Sequence, residues 1–338
     1  MRNESFIDLN AIRENARTIK RILPKGVKLC AVVKSDAYGH GAAEVAAALY
    51  NVADCFAVAL TEEGVQLRQS GIDKDVLVMI PPLPSDIERA VAYNLTLTAD
   101  NRQVIRNIDE ESLKRGVKTK IHLKYNTGMN RFGVDTPEEL ERLCKYAQGK
   151  NNVIIDGMFS HYACPENDRL RKKARDKFLL AINVVKRYNK NVTCHISASG
   201  GFLKGDYFDM VRVGILLYGY KPFACDCIKV KRAMKVFAPI MKVRRLSSFD
   251  RALYGGKLSL IRRDLSLVRM GYADGPYRCE VKGQFNNRCM EITALDGKYR
   301  GRRACVMEDA AAVAKRYGTI PYEILIKYSA HTDKKYKR

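Results

Sequence analysis

Eight short runs of strand character, most of them separated by stretches with helical periodicity, constrain the fold of this chain more than any other feature. The first run, residues 29–33, is apolar throughout, which is typical of a parallel strand buried on both faces. Seven more runs of strand length follow at residues 55–60, 76–80, 95–98, 120–125, 154–160, 193–197 and 209–213. Strands in this number, alternating with helices, predict a (β/α)8 barrel.

The pattern changes after about Tyr220. Strand character without intervening helices is found at residues 236–243, 257–261, 265–270 and 290–295, and one short helix is indicated at residues 309–317. Because 338 residues exceed the roughly 250–300 at which single cores stop growing, two domains are expected. We predict an α/β fold with a barrel at residues 1–225 and a mostly β domain with a short C-terminal helix at residues 226–338.

The formal net charge of +23 raises the hypothesis of nucleic-acid binding, because basic proteins attract polyanions. The basic residues are spread along the chain, however, and only residues 334–338 form a concentrated cluster. No zinc-finger, RNA-recognition or helix-turn-helix signature accompanies them. We therefore interpret the charge as solvated surface charge and do not expect nucleic acid as a partner.

The sequence also gives expectations about compartment and metals. No stretch approaches the roughly 20 apolar residues of a membrane span, and residues 1–5 lack the apolar region of a signal peptide. A cytoplasmic protein is therefore expected, and ten scattered cysteines fit that compartment as free thiols. Cys225 and Cys227 flank a single residue, which is a poor spacing for zinc ligands, so no metal is expected.

Lys34 follows directly after the first apolar run, at the strand end where barrel enzymes carry their chemistry. Burial there would lower the pKa of the amine and favour its reaction with an aldehyde. Lysines at strand ends are also common on protein surfaces, so this position alone does not assign the role.

Six segments, in order along the chain, carry motifs of one known family. They are Lys34-Ser35-Asp36-Ala37-Tyr38-Gly39-His40-Gly41 and residues 124–133, 159–161, 212–219, 271–275 and 318–324. Together they resemble the motifs of the alanine racemases, and the similarity spans nearly the whole chain. The resemblance implies pyridoxal 5′-phosphate as cofactor, interconversion of L- and D-alanine, and a supply of D-alanine for peptidoglycan. It also implies a homodimer whose active sites are shared between subunits.

The resemblance implies two catalytic residues. Lys34 would bind the pyridoxal phosphate and act as one acid/base, and Tyr272, in this family supplied by the partner subunit, would be the other. Racemisation needs a base on each face of the substrate Cα, and a lysine and a tyrosine on opposite sides meet that need. Both side chains have ordinary pKa values near 10, so neighbouring groups must lower them.

The same resemblance implies the cofactor contacts. Arg212 would donate to the pyridine nitrogen, because an arginine stays protonated and cannot accept there, and His161 would lie beside it. The donors to the phosphate would be the side chains of Tyr38, Ser199 and Tyr322 and the backbone N–H groups of Gly214 and Ile215.

For the substrate, the resemblance implies that Arg131 binds the carboxylate. Lys124, seven residues earlier, occupies the position of a lysine that this family commonly modifies to a carbamate. Unmodified, Lys124 beside Arg131 would be a clash of like charges. Met307 is the match we assign to the family's substrate-contacting methionine.

The second domain departs from the family pattern. Members usually carry a Gly-Arg-x-x-Met-Asp segment and then further strands before the final helix, whereas Met307-Glu308-Asp309 runs straight into the predicted helix. We therefore expect a shortened domain. Several alternative functions stay open. The acidic pair Glu308 and Asp309 leaves a racemase for basic amino acids as one of them. The others are a serine racemase, a decarboxylase of the same fold, and a weakly active pyridoxal-phosphate-binding protein.

Overall fold

The computed structural model describes residues 2–253, 257–274, 287–288, 291–299 and 301–338. These residues form two compact units. The barrel unit comprises Ile12–Ala37 and Ala42–Lys231, and the β-rich unit comprises Met1–Ala11, Tyr38–Gly41 and Arg232–Arg338. The first residues of the chain, and a four-residue segment that follows the first barrel strand, therefore group with the β-rich unit.

Eight parallel strands form the nearly closed barrel that the eight runs of strand character predict. They are β2 (Lys28–Val32), β3 (Cys55–Val58), β4 (Val76–Val78), β5 (Thr96–Ala99), β6 (Thr119–Lys124), β7 (Val153–Phe159), β8 (Thr193–His195) and β9 (Met210–Val213). The hydrogen-bonded order runs from β8 through β2 to β9. Between β8 and β9, the Asp209 N–H donates to the Cys194 carbonyl at 3.1 Å and the Arg212 N–H to the Ser197 carbonyl at 3.0 Å.

Helices follow most of the strands, as the helical periodicity predicts. They are α1 (Leu9–Ile22), α2 (Ala42–Leu49), α3 (Thr61–Gln69), α4 (Pro84–Ala92), α5 (Arg102–Lys114), α6 (Pro137–Gln148), α7 (Asp168–Val185) and α8 (Ser199–Leu203). α6 begins with a capping box: the Thr136 hydroxyl accepts from the Glu139 N–H, and the Glu139 carboxylate accepts from the Thr136 N–H.

The β-rich unit is built on one long antiparallel-rich sheet. Its strands are β1 (Asn3–Asp8), β10 (Met234–Leu246), β13 (Arg263–Val268), β14 (Asn287–Arg288), β15 (Thr293–Asp296), β16 (Arg303–Met307) and β17 (Thr332–Lys337), and a separate pair comprises β11 (Arg251–Ala252) and β12 (Lys257–Leu258). Two helices complete the unit, α9 (Ala310–Tyr317) and α10 (Pro321–Ser329).

Two strands of this sheet carry no clear signal in the sequence. β1 pairs with β10 in antiparallel register and with β17 in parallel register, so it joins the last strand of the chain to the sheet. The cluster of basic residues at 334–338 is therefore largely a strand, not a free basic tail. Its strand character depends on pairing with residues more than 300 positions away, which no local pattern can reveal.

The cysteines differ in part from the expectation of free thiols. Six described cysteines are free, but Cys225 and Cys227 are joined in a disulfide with their Cα atoms 5.6 Å apart. That separation lies within the range a disulfide requires, although only one residue intervenes. Cys279 and Cys289 lie outside the described residues. Within the described ranges, no helix is both long and apolar enough to cross a membrane.

Candidate active site

Lys34 lies two residues beyond Val32, the last residue of β2, at the carboxyl edge of the barrel, and is partly buried. Burial lowers the pKa of its ammonium group, and the positive charge of Arg131 adds to this effect, while Glu63 opposes it. An amine with a lowered pKa is more often neutral, and a neutral amine is the reactive form. The structure thus gives Lys34 the environment that its sequence position predicts.

The backbone after Lys34 makes a left-handed turn through Lys34–Tyr38. Ser35, Asp36, Ala37 and Tyr38 all have φ between 51° and 54°, a conformation that costs a residue with a side chain roughly 1–2 kcal/mol. Local hydrogen bonds offset part of this cost. The Ala37 N–H donates to the Val33 carbonyl at 2.8 Å, and the Asp36 carboxylate accepts from the Ala42 N–H at 2.7 Å.

Glu63 links this turn to the neighbouring strand. One carboxylate oxygen accepts from the Ser35 N–H at 2.5 Å, and the other accepts from the N–H groups of Ala59 and Leu60 at 2.7 and 3.1 Å. Glu63 therefore holds together the backbone segment that follows β2 and the one that follows β3. The sequence shows Glu63 only as an acid in the first turn of α3, so this role was not predicted.

Arg212, on β9, is only 2% exposed, and its guanidinium is held by acceptors of the barrel. It donates to the carbonyls of Ser160, Ile196 and His195 at 2.7, 3.1 and 3.1 Å, and to the His195 ring nitrogen Nδ1. It also lies 3.4 Å from Nδ1 of His161, as the sequence predicts for these two residues. Burial lowers the pKa of Arg212 to about 10, which leaves it protonated at neutral pH.

Lys124, at the end of β6, is a second cation deep in the same unit and is 5% exposed. Its ammonium nitrogen lies 3.9 Å from the centre of the Phe159 ring, and the Arg212 guanidinium lies 5.1 Å from that centre. Burial lowers the pKa of Lys124 well below its ordinary value, and Arg212 and Arg131 lower it further. Burial, and after it the charge of Arg212, also lowers the pKa of His161 well below its ordinary value, so the ring is neutral at neutral pH.

The loop that carries Arg131 is organised by Asn126. Its side-chain oxygen accepts from the N–H groups of Gly128 and Asn130, and its amide nitrogen donates to Asp135 at 2.6 Å. Gly133 closes the loop on β6, since a Cβ atom there would lie 2.8 Å from the Lys124 carbonyl oxygen. Asn126 lies inside a motif noted in the sequence, but its organising role was not predicted.

Ser199, Gly214 and Ile215 also come together in the barrel unit. The Gly214 N–H donates to the Ser199 hydroxyl at 3.3 Å, and both Ser199 and Ile215 are buried. Among the residues that the structure describes, the N–H group of Ile215 has no hydrogen-bond acceptor. A buried donor of this kind beside a hydroxyl suits an anion such as a phosphate. The Ser199 hydroxyl and the N–H groups of Gly214 and Ile215 therefore suit the phosphate of a phosphorylated cofactor.

The β-rich unit holds the other predicted site residues. The rings of Tyr38 and Tyr322 meet edge to face with centroids 5.5 Å apart, and burial raises the pKa of Tyr322 to about 12. Tyr272 begins a short 3-10 turn, Tyr272–Asp274, and is 36% exposed. Met307 ends β16 and is 1% exposed.

The two acids beside Met307 already have cationic partners. Glu308 pairs with Lys235, and Asp309 pairs with Arg232 at 2.7 Å and caps α9 through the Ala311 N–H. Both carboxylates therefore make their ion pairs with cations of the β-rich unit itself.

Comparison with known proteins gives consistent results. The family model described as "Alanine racemase, N-terminal domain" matches residues 7–222. The chain is 33% identical to "Alanine racemase 1" of Bacillus subtilis (strain 168), covering 94% of this chain and 88% of that protein. It is 32% identical to "Alanine racemase 2" of Caldanaerobacter subterraneus subsp. tengcongensis, covering 94% of this chain and 90% of that protein.

Solved structures agree with the sequence relatives. The alanine racemase of Clostridium difficile 630 superposes with a TM-score of 0.93 at 27% identity, covering 100% of this chain and 96% of that one. The biosynthetic alanine racemase of Pseudomonas aeruginosa gives a TM-score of 0.86 at 27% identity, covering 100% and 99% of the two chains.

Proposed function

Because this chain belongs to the alanine racemase family, we propose that it interconverts L- and D-alanine with pyridoxal phosphate, using Lys34 and Tyr272 as its two bases. The observation that carries the proposal is the environment of Lys34. This amine lies at the carboxyl edge of the barrel with a lowered pKa, in the unit that also buries Lys124 and Arg212. The buried Arg212 guanidinium stays charged and suits an anionic cofactor, while a lowered pKa leaves the Lys34 amine free to react with an aldehyde.

Pyridoxal phosphate, when bound, supplies an electron sink that stabilises negative charge at the substrate Cα. The residues of this chain hold it in place. Lys34 would bind it covalently, while the Ser199 hydroxyl and the N–H groups of Gly214 and Ile215 would donate to its phosphate. The hydroxyls of Tyr38 and Tyr322 are the further donors, and the raised pKa of Tyr322 keeps that hydroxyl protonated for donation.

Arg212 would face the pyridine nitrogen as a donor. A guanidinium has no acceptor, so it leaves that nitrogen unprotonated and moderates the electron sink. His161, neutral beside Arg212, would contact the cofactor ring. The benefit we infer is fewer side reactions, because a weaker sink leaves charge on the substrate for a shorter time.

Lys34 and Tyr272 would move protons at opposite faces of the substrate Cα. The Lys34 Nζ atom takes or returns the proton on one face, and the Tyr272 hydroxyl, supplied by a second copy of the chain, does so on the other. Arg131 would bind the substrate carboxylate and thereby orient the Cα–H bond between the two bases.

A methionine other than Met307 matches the family's substrate-contacting methionine better. In the family pattern the Met-Asp pair is followed by strands and then by the final helix. Met290-Glu291, whose Met290 lies outside the described residues, is followed by β15, β16 and then α9, whereas Met307 ends the last of those strands. We therefore propose Met290 for this role. By this register, β15 and β16 would correspond to the strands that follow the Met-Asp pair in the family pattern.

Reductive trapping tests the proposal directly. Purified protein should show visible absorbance that borohydride abolishes, and peptide mapping should place the reduced adduct on Lys34. Racemisation assays should rank alanine above serine, and serine above lysine or arginine, because a small apolar pocket excludes longer side chains. An adduct on another lysine would falsify the Lys34 assignment, and a preferred basic substrate would overturn the choice of alanine.

The cellular role we propose is supply of D-alanine for peptidoglycan. Deleting the gene should then make growth depend on added D-alanine, unless the cell has a second source of it. Complementation by the wild-type chain but not by Lys34→Ala would tie that growth to the racemase reaction.

A further inference from the structure

Four side chains of the barrel unit form a continuous line behind the candidate site. The Asp156 carboxylate lies 3.5 Å from Nε2 of His122, and Nδ1 of His122 lies 2.8 Å from Nε2 of His195. Nδ1 of His195 then meets the Nη1 atom of Arg212. The two histidines and Arg212 are 0–5% exposed, whereas the Asp156 side chain is 37% exposed.

The chemistry at the two ends fixes where every proton in this line lies. Arg212 can only donate, so Nδ1 of His195 must accept. Nε2 of the neutral His195 ring therefore carries its proton and donates to Nδ1 of His122. Nε2 of His122 then carries a proton and donates to Asp156, and an ionised carboxylate can only accept.

Burial supports this assignment of neutral rings. It lowers the pKa of His195 well below the ordinary value, with the charge of Arg212 as the next cause. Burial lowers the pKa of His122 as well, although Asp156 opposes the change. The hydrogen bond to His122 in turn lowers the pKa of Asp156, which keeps this carboxylate ionised at the end of the line.

The local structure of β7 is shaped to admit this line. The register of β6 and β7 shifts between Ile121 and His122, which leaves Asp156 as the extra residue of a bulge. A bulge redirects a side chain, and here it leaves the carboxylate beside His122. The next residue, Gly157, lies opposite His122, and a Cβ atom there would lie 2.5 Å from the ring.

We propose that His122 and Asp156 are positioning residues that fix the tautomer of His195 and, through it, the orientation of the Arg212 guanidinium. The proposal rests on the proposed function for its effect on catalysis, because Arg212 is assigned to the pyridine nitrogen there. The tautomer itself can be measured in protein without cofactor. The structural and the catalytic parts can therefore fail separately.

The first experiment is 15N NMR on cofactor-free protein labelled at histidine. In the wild type, His122 and His195 should both be neutral and protonated on Nε2. His122→Leu removes the acceptor of the His195 Nε2–H, so the ring nitrogens of His195 should shift strongly. His122→Asn keeps an oxygen acceptor near the position of Nδ1 and should leave His195 protonated on Nε2.

The second experiment measures racemisation by the loaded enzymes. His122→Leu should lower kcat on the order of tenfold, the kinetic equivalent of losing one buried hydrogen-bond partner, with little change in KM for alanine. His122→Asn should recover most of the loss. Thr98→Val is the matched control, because it removes another buried hydrogen bond of the barrel, from Thr98 to the Val78 carbonyl at 2.6 Å. It should lower thermal stability without shifting the His195 nitrogens.

Asp156→Asn tests the exposed end of the line if His122→Leu does not fold. The amide can donate as well as accept, so His122 should lose its single tautomer and kcat should fall severalfold. Finding the His195 proton on Nδ1 in the wild type would overturn the proposal. A tautomer shift with kcat unchanged would overturn the positioning role, and an inactive wild type with the expected tautomers would refute only the proposed function.

Discussion

At the scale of the single residue, Lys124 shows how burial and charge together select a chemical form. Lys124 is 5% exposed, and burial lowers its pKa most; the charges of Arg212 and Arg131 lower it further, while Asp100 opposes them. A protonated Lys124 would add a third positive charge to these two. A neutral amine avoids that conflict and can attack CO2, forming an N–C bond and releasing one proton to give a carbamate anion.

We predict that Lys124 carries this carbamate in bicarbonate buffer. Protein kept in 13C-bicarbonate should show a carbamate carbon signal that Lys124→Met abolishes. Lys124→Met should also raise KM for alanine about tenfold, because Arg131 loses the anion that orients it toward the substrate. Lys120→Met is the matched control on the same strand, since Lys120 is partly exposed and pairs with Asp75 at 3.1 Å. A signal that survives in Lys124→Met would contradict the assignment.

At the scale of the element, β7 combines a bulge with a glycine to make room for a buried ring. Gly157 lies opposite His122, which is itself held between Asp156 and His195. The His122 ring cannot shift without disturbing one of these contacts, because both of its nitrogens have partners. A Cβ atom at position 157 would therefore press on His122 and, through it, on its contacts with Asp156 of the same strand and His195 of β8.

We predict that Gly157→Ala destabilises the protein by about 1–3 kcal/mol, the usual cost of adding a methyl group to a packed core. Thermal unfolding should show a lower Tm. Gly149→Ala is the control, because a Cβ atom there would meet its nearest neighbours at ordinary contact distances of 3.6 and 3.8 Å. Equal Tm values for Gly157→Ala and the wild type would mean that the His122 ring moves without cost.

At the scale of the whole molecule, buried neutral histidines accompany a large net positive charge. His122, His161 and His195 all have lowered pKa values, with burial as the first cause in each case. In the unfolded chain the same side chains would have pKa values of about 6.5. The unfolded state therefore binds more protons below that pH, which favours unfolding.

We predict that cofactor-free protein loses stability as the pH falls from about 6.5 to 5.5, a range above that in which most carboxylates take up protons. Each of the three histidines adds up to about 1.4 kcal/mol per pH unit, and carboxylates contribute only at lower pH. Calorimetric unfolding in buffers of different ionisation enthalpy should detect about three protons taken up. His331→Gln, a change at an exposed histidine, should leave this pH dependence unchanged. Constant stability across that range would refute the assignment of neutral buried rings.

The proposed sharing of sites is also a property of the assembly. Mixing Lys34→Ala with Tyr272→Phe protein should restore about a quarter of the wild-type activity if chains exchange at random, because half of the dimers then hold one intact site of two. Native mass spectrometry would establish that mixed dimers exist. Mixed dimers without activity would argue against shared sites.

The sequence by itself determined the barrel. All eight predicted runs became strands, and residues 29–33 carry the clearest signal, because a strand buried on both faces favours an apolar run that is visible locally. Lys34 was singled out by its place directly after that run, whereas Arg212 was singled out by its resemblance to a motif of the family.

The tertiary structure decided what depends on residues far apart in the chain. β1 and β17 become strands only by pairing with each other and with β10, and the disulfide of Cys225 and Cys227 depends on the local backbone path. Glu63, Asn126 and the line from Asp156 to Arg212 act through hydrogen bonds whose partners no spacing rule identifies. A residue type limits which bonds a side chain can make, but only the folded chain brings a donor to its acceptor.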